Sequence, residues 1–168
     1  AGIIDLAGNK KPEFYFRQSL WGEKPMVFLG TSDRLIERGP VSLWAHKRVE
    51  PLWNWEEGKK ISVNAFSNCE EVELFLNGSS LGIKRMADFQ NRTITWEVPF
   101  EKGTLKAVGM NNGQEVADYE LITTGSPASI AVKCDNISLK PDREELSHIY
   151  VTLVDESGYT VYSADNEI

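Results

Sequence analysis

The sequence has few of the residues that build metal or redox sites. Its 168 residues include only two cysteines, Cys69 and Cys134, and two histidines, His46 and His148. A zinc site needs several nitrogen or sulfur ligands that converge, and none of these four residues has another beside it. We therefore expect no metal and no cofactor. Both cysteines are interpreted as small buried apolar residues, with a disulfide between them as the alternative, and they leave the compartment open.

Long apolar runs and excess positive charge are also missing. No run approaches the roughly 18 apolar residues of a membrane-spanning helix. The chain carries 18 Lys and Arg against 25 Asp and Glu, a net charge of −7. Nucleic-acid binding needs clustered positive charge to replace counterions. We therefore expect neither a nucleic acid nor a membrane as partner. A glycine-rich phosphate loop and a Ser/His/Asp arrangement are absent as well.

The N-terminal residues 1–7 contain neither the basic region nor the long apolar core of a signal peptide. The chain also has no initiating Met. The expectation is that it begins inside a larger protein.

What the sequence does contain is enough apolar residue to fold, at 41% with five Trp. One helix is predicted over Asn9–Gly22, with Asn9 as its cap and Pro12 in its first turn. Its aromatic residues leave a large apolar surface that needs a partner element. Every other predicted element is a strand.

The strand pattern predicts antiparallel sheets. Residues 71–76 alternate apolar and polar side chains and are followed by Asn77-Gly78, a pair that favours a tight hairpin turn. Asn112-Gly113 and Lys102-Gly103 indicate two more turns. The predicted strands are Pro25–Leu29, Val41–Ala45, Ile61–Phe66, Glu71–Leu76, Ser80–Arg85, Arg92–Val98, Thr104–Met110, Glu115–Thr123, Ile130–Lys133, Ile137–Leu139, Ile149–Val154 and Tyr159–Tyr162. Short strands with regular turns and no helix between them are typical of an Ig-like β-sandwich.

The composition changes at Thr124-Gly-Ser-Pro127, which is predicted to be a linker. The strands after it occupy some 41 residues, whereas a complete Ig-like sandwich takes about 100. The fold class is therefore all-β: an Ig-like antiparallel sandwich, preceded by one short helix and followed by an incomplete second Ig-like unit. An exposed edge of that incomplete unit could pair with a second copy of the chain.

Trp53, Trp55 and Trp44 are the candidate site residues. Tryptophan faces stack on sugar rings, and Trp53 and Trp55 would share one side of an extended segment. The alternative is that these side chains fill the sandwich core or an interface, since large aromatics dominate such burial. The second interpretation is the favoured one, and exposure of the two indoles distinguishes them.

Carboxylates offer a weaker candidate. Glu71 and Glu73, with Glu70 beside them, lie two apart on a predicted strand and share its outer face. Retaining glycoside hydrolysis needs two carboxyls facing each other across about 5 Å. Neighbours along one strand face are better explained as a solvated surface, so no catalytic residue is expected. The acidic turns at Asp155 and Asp165 lack the spacing of a calcium-binding loop.

Several segments together resemble the C-terminal region of family 2 glycoside hydrolases, specifically large bacterial β-galactosidases. Gly2-Ile-Ile-Asp-Leu-Ala-Gly8 and Lys11-Pro-Glu-Phe-Tyr-Phe-Arg-Gln-Ser-Leu-Trp21 look like the end of that family's (β/α)₈ barrel. Trp53-Asn-Trp55 and Ser67-Asn-Cys-Glu-Glu-Val-Glu-Leu-Phe-Leu-Asn-Gly78 look like the Ig-like domain that follows the barrel. Pro127-Ala-Ser-Ile130 and Val151-Thr-Leu-Val-Asp155 look like the start of a further one.

The resemblance implies three parts: residues 1–24 as a barrel tail with its last helix, 25–124 as an Ig-like sandwich, and 125–168 as the first part of another. It also implies that both catalytic glutamates of the retaining mechanism lie upstream, so this chain is a non-catalytic accessory fragment of a β-galactosidase-like parent. Its expected partner is the barrel, and an oligosaccharide is a second possible ligand. A periplasmic or extracellular location is favoured for the parent. The rival function is a stand-alone carbohydrate-binding module that uses Trp53 and Trp55.

Overall fold

The computed structural model describes residues 2–33, 49–138, 140 and 146–166. The chain forms two compact units, residues 1–123 and 124–168. The predicted strand Val41–Ala45, with Trp44, lies outside the described residues, as does His46. Within the described ranges, no helix is both long and apolar enough to cross a membrane.

The helix α1 spans Pro12–Trp21. Pro12 fits its first position because that backbone nitrogen needs no intrahelical partner. The predicted cap was wrong: Lys11 occupies the N-cap, and none of the side chains that the structure describes caps the helix. Asn9 instead donates its side-chain amide to Asp5 Oδ2 at 3.0 Å, inside a turn that precedes the helix. The backbone N–H of Gly22 closes the helix on the Gln18 carbonyl at 2.7 Å.

Among the residues that the structure describes, seven strands build the sandwich of the first unit. They are β1 (Val27–Ser32), β2 (Lys60–Ser67), β3 (Glu71–Leu76), β4 (Ser79–Arg85), β5 (Ile94–Pro99), β6 (Thr104–Asn111) and β7 (Gln114–Ile122). A short 3₁₀ turn, Met86–Asp88, follows β4. One sheet has the order β1-β2-β5 and the other β4-β3-β6-β7, and every pairing is antiparallel.

The two sheets enclose one apolar core. Ile61 and Val63 of β2 belong to the same buried cluster as Val72 and Leu74 of β3. Strand β3 alternates between half-buried and buried residues, as the sequence predicted. From Ile61 onward strand β2 is buried on both faces. One face packs in the core, and on the other Phe66 packs with aromatic residues of the helix. The predicted all-β, Ig-like antiparallel sandwich is therefore the fold of this unit.

Two hairpins use the turn residues that the sequence indicated. Asn77 and Gly78 have φ angles of 52° and 80°, and Asn112 and Gly113 have 51° and 73°. Positive φ at both central residues gives the turn a twist that matches the flanking strands. These two predictions are confirmed.

In its described part, residues 124–138, 140 and 146–166, the second unit contains one pair of strands, β8 (Ser129–Cys134) with β9 (Ile149–Val154). Strand predictions for two other segments were wrong. Ile137 and Ser138 are outside any strand, and Tyr159–Tyr162 contributes only an isolated bridge between Thr160 and Val154. A buried carboxylate explains the bridge region: Asp155 accepts the N–H groups of Ser157 and Tyr159, each at 3.0 Å, so this segment is a tight turn.

Candidate functional site

Trp53 lies in the core of the sandwich. Its side chain has no exposed surface, and its ring meets Phe100 edge to face with centroids 5.1 Å apart. The indole N–H donates to the Glu101 carbonyl at 3.0 Å, so its one polar group is satisfied. Its carbonyl accepts the Thr123 hydroxyl at 2.9 Å. An indole with this environment offers no face to a sugar.

Trp55 lies beside the core and is only partly buried. Its indole N–H donates to the buried Thr31 hydroxyl oxygen at 3.2 Å. That hydroxyl in turn donates to the Leu52 carbonyl at 2.6 Å, which fixes the loop that carries both tryptophans. The Lys59 ammonium lies 5.8 Å from the centre of the Trp55 ring and pairs with Asp33 at 3.5 Å. Of the two indoles, only Trp55 has surface left for a ligand.

Asn68 fastens the helix to the sandwich. Its amide donates to the carbonyls of Gly22 at 3.0 Å and Lys24 at 2.9 Å, and its oxygen accepts the Met26 N–H at 2.8 Å. The neighbouring Ser67 hydroxyl donates to the Met26 carbonyl at 2.7 Å. This side chain therefore holds the whole connection between α1 and β1 in one conformation. We call this group the Asn68 clasp.

Aromatic contacts hold the helix to the outer face of the β1-β2-β5 sheet. Tyr15 stacks on Phe28, with ring centroids 4.2 Å apart, and Phe16 meets Phe66 edge to face at 5.3 Å. On the other side of the helix, Trp21 is 73% exposed, with the Arg17 guanidinium 5.4 Å from its ring. One side of the helix is thus committed to the sandwich and the other carries an uncovered aromatic surface.

The candidate carboxylates Glu70 and Glu73 have different hydrogen-bond partners at the β4-β3-β6-β7 sheet. Glu70 accepts the backbone N–H of Asn112 at 2.8 Å, and Glu73 accepts the Ser80 hydroxyl at 2.5 Å. On the same sheet, Lys106 pairs with Glu120 at 3.2 Å and with Asp118 at 3.4 Å. Hydrogen bonds from Lys106 to Glu120 and then to Asp118 raise the pKa of its ammonium. These are contacts of a solvated strand face.

Metal ligands do not converge among the described residues, where no three His, Cys, Asp or Glu side chains could hold an ion together. His148 meets a carboxylate instead, with Nδ1 2.7 Å from Asp135 Oδ2. The His148 backbone N–H also binds Asp135, and these two hydrogen bonds, the backbone one first, lower the pKa of that carboxyl. The pair joins the ends of β8 and β9.

Known proteins resemble this chain in both sequence and structure. A family model described as a domain of unknown function (DUF4982) matches residues 58–117. A beta-galactosidase of Bacteroides ovatus is 36% identical over 98% of this chain, and a putative beta-glucuronidase of Formosa agariphila is 38% identical over 77%. A solved glycosyl hydrolase family 2 member from Bacteroides cellulosilyticus superimposes with a TM-score of 0.83 at 36% identity and covers 95% of the chain. The chain matches a segment of family 2 glycoside hydrolases.

The chain matches only a small part of the length of each of these relatives. It corresponds to 17% of the Bacteroides ovatus protein, 11% of the Formosa agariphila protein and 22% of the Bacteroides cellulosilyticus chain.

The sequence analysis did not identify most of the polar residues that hold the first unit together. Asn68 binds Lys24, which lies 44 positions away in the sequence, and Thr31 binds Leu52, 21 positions away. No local sequence pattern marks a polar residue whose partners are so distant. A polar residue inside the Ser67-Asn-Cys69 corner, between two apolar strands, was the available signal.

Proposed function

We propose that this chain is a non-catalytic accessory segment of a larger family 2 glycoside hydrolase. The observation that carries the proposal is the match over 98% of this chain to only 17% of a beta-galactosidase. The described carboxylates support it, because Glu70 and Glu73 are engaged with a backbone N–H and a hydroxyl on one sheet. Retaining hydrolysis needs two carboxyls that face each other across about 5 Å of open cleft.

The parent is proposed to hydrolyse β-galactosides. Relatives named beta-galactosidase and beta-glucuronidase both match the chain. The proposal rests on the beta-galactosidase of Bacteroides ovatus, which is 36% identical over 98% of the chain, whereas the beta-glucuronidase that matches a comparable share, 94%, is 25% identical. The two substrates differ at two positions of the sugar ring: the 4-hydroxyl is axial in a galactoside and equatorial in a glucuronide, and C5 carries a neutral hydroxymethyl group in the first and a carboxylate in the second. An accessory segment at some distance from the reacting bond would serve either enzyme.

The mechanical role we assign is to cover a flank of the catalytic barrel. The helix of residues 12–21 is attached to the sandwich by the Asn68 clasp and by the Tyr15–Phe28 stack. Its free side presents Trp21, and the preceding segment exposes Ile4 and Leu6. Large exposed apolar side chains indicate a contact surface. In this proposal residues 1–24 belong with the barrel and 25–124 form the domain that is fixed to it.

The rival function, a stand-alone carbohydrate module, would need both indoles as a platform. Complete burial of Trp53 counts against that function. Trp55 alone keeps some exposed surface, and a single half-buried ring under a lysine is a weak platform.

The proposal is tested with two proteins: the 168-residue chain and the natural gene product that contains it. Both are assayed with chromogenic β-galactoside and β-glucuronide. We expect turnover by the gene product, with the galactoside as the better substrate, and none by the chain. Turnover by the purified chain would overturn the accessory role, and preference of the gene product for the glucuronide would overturn the substrate. For the barrel contact, Trp21→Ala should lower the melting temperature of the gene product, whereas the control Gln18→Ala on the same helix should not.

A further inference from the structure

The sequence contains two Asn-Gly pairs, and each forms the centre of a hairpin turn. Asn77-Gly78 joins β3 to β4, and Asn112-Gly113 joins β6 to β7. The asparagine φ angles are 52° and 51°, and all four residues are exposed. A Cβ added to either glycine would meet open space. The two pairs are therefore matched in sequence, in turn conformation and in access to water.

The two asparagine side chains differ in their hydrogen bonds. The Asn77 amide donates to the Lys102 carbonyl at 3.0 Å, and its oxygen accepts the Thr104 N–H at 2.9 Å. Both polar ends of that side chain are thus bound to the segment that leads into β6. In the part of the chain that the structure describes, the Asn112 side chain has no such partner, although its backbone N–H donates to Glu70 Oε2 at 2.8 Å.

An asparagine followed by glycine can lose its side-chain amide by a reaction within the chain. The backbone nitrogen of the glycine attacks the side-chain carbonyl carbon, a C–N bond forms, and ammonia leaves as a succinimide ring closes. Water then opens the ring to aspartate or isoaspartate, so the net change exchanges water for ammonia. Glycine permits the attack because it has no Cβ to hinder it. The asparagine side chain must first rotate toward the next backbone nitrogen, and hydrogen bonds on its amide oppose that rotation.

We propose that Asn112 is a site of spontaneous deamidation in the folded protein and that Asn77 is protected from it. The two hydrogen bonds of the Asn77 amide must break before its carbonyl carbon can reach the Gly78 nitrogen. At ordinary hydrogen-bond strengths, this requirement slows the reaction at Asn77 by at least about tenfold relative to Asn112. The site belongs to this chain and does not depend on the activity of a parent enzyme.

Deamidation at Asn112 changes the contact between this turn and the residue that precedes β3. The Glu70 carboxylate accepts the Asn112 N–H, and the Glu70 N–H donates to the Asn111 side-chain oxygen at 2.9 Å. A carboxylate at residue 112 adds a negative charge to a residue that already contacts Glu70, and like charges repel. Isoaspartate also routes the main chain through its Cβ, which distorts a two-residue turn. We therefore expect the contact with Glu70 to weaken as the protein ages.

Peptide mapping tests the proposal on the 168-residue chain. The chain is incubated in mildly alkaline buffer and digested with trypsin at intervals, and an unincubated sample gives the background. Asn77 and Asn112 fall in different tryptic peptides, residues 61–84 and 107–133, so mass spectrometry follows each site separately. We expect Asn112 to convert at least about tenfold faster than Asn77 in the folded chain. In concentrated urea the two rates should become alike, because unfolding removes the hydrogen bonds that protect Asn77.

Equal rates in the folded chain, or a faster reaction at Asn77, would overturn the proposal. A rate difference that persists unchanged in urea would also overturn it, because the difference would then come from neighbouring residues. Two variants give an independent measurement. Gly113→Ala should slow the conversion of Asn112, since a Cβ hinders the attack, whereas the control Gly78→Ala should leave the Asn112 rate unchanged. An unchanged rate in Gly113→Ala would exclude the succinimide route.

Hydrogen exchange measures the consequence for the fold. The Glu70 amide should exchange faster in the converted chain than in the fresh one, because its partner lies in the distorted turn. The Asn77 amide, which donates to the Thr104 carbonyl at 2.9 Å, is the control and should exchange at the same rate in both. Unchanged exchange at Glu70 would show that the contact survives deamidation.

Discussion

Tyr15 of the helix lies flat on Phe28 of the first strand, with ring centroids 4.2 Å apart and planes within 6° of parallel. Phe28 is also 5.0 Å from Tyr119 and 5.9 Å from Phe66, so the stack connects the helix to both sheets. The sheet face opposite the main core is therefore also buried. This second aromatic layer makes helix and sandwich one unit.

The stack predicts a measurable loss on truncation. Tyr15→Ala should lower the free energy of unfolding of the first unit by about 1–3 kcal/mol, because it removes a half-buried ring and its stacking contact with Phe28. Chemical denaturation followed by circular dichroism measures the change. Gln18→Ala, an exposed change on the same helix, is the control. Its free energy of unfolding should stay within about 0.5 kcal/mol of that of the unsubstituted chain. Equal stabilities of the two variants would show that the helix is not held by the stack.

Gly103 is predicted to reject alanine for two separate reasons. Its φ is 134°, a conformation that L residues rarely adopt, and an added Cβ would overlap the Asn77 side-chain oxygen. Gly113 has φ 73° and open space around the same position. Gly103→Ala should therefore cost more than about 2 kcal/mol, and Gly113→Ala about 1 kcal/mol. Thermal unfolding of both variants gives the comparison.

A double variant separates the two reasons at Gly103. Asn77→Gly removes the overlapping oxygen, and glycine suits the φ of 52° found there. Gly103→Ala should thus lower the free energy of unfolding by less in the Asn77→Gly background than in the unsubstituted chain. A cost that does not change would mean that backbone conformation alone excludes alanine.

The two tryptophans are predicted to respond differently to substitution. Trp53→Ala should destabilise the sandwich by about 3–5 kcal/mol, since it leaves a cavity in the core and an unpaired Glu101 carbonyl. Trp55→Ala should cost about half as much or less, because its ring is only partly buried. Titration with galacto-oligosaccharides should leave the tryptophan emission unchanged. A saturable change that disappears in Trp55→Ala would restore the carbohydrate module.

The stability of the second unit is predicted to fall in acid through Asp155. Its carboxylate accepts the Gly125 N–H at 2.9 Å, and this bond, followed by those from Tyr159, Ser157 and Gly158, lowers its pKa below 3.8. The folded unit therefore binds fewer protons than the unfolded one near that pH. The stabilisation is complete above about pH 4 and is lost as the pH falls through the lowered pKa. Hydrogen exchange of β8 and β9 amides between pH 2 and 6, reported as protection factors, measures it.

Asp155→Asn should reduce this pH dependence, because an amide does not titrate. Asp135 contributes in the same direction, so some dependence remains in that variant. Ser163→Ala, an exposed change in the same unit, is the control and should leave the profile as in the unsubstituted chain. A parental profile in Asp155→Asn would assign the acid sensitivity elsewhere.

Local sequence patterns predicted those parts of the fold that depend on near neighbours. The alternation in residues 71–76 and the two Asn-Gly pairs predicted their strands and turns, because period-two burial and positive φ are set within a few residues. The helix cap was missed for a related reason. Asn9 has the right chemistry for a cap, but the Asp5 carboxylate, four residues earlier, is a competing partner.

By itself, then, the sequence determined the class of this protein: antiparallel strands, hairpin turns, one aromatic helix and a resemblance to family 2 glycoside hydrolases. Only the tertiary structure decided which aromatic side chains are available. Trp53 and Trp55 are two residues apart in equivalent sequence surroundings, yet one is fully buried and the other is not. Phe100 packs against the Trp53 ring, and the neighbouring Glu101 carbonyl accepts its indole N–H, both from just beyond the end of β5. Burial is a property of contacts across the fold, and no local pattern encodes it.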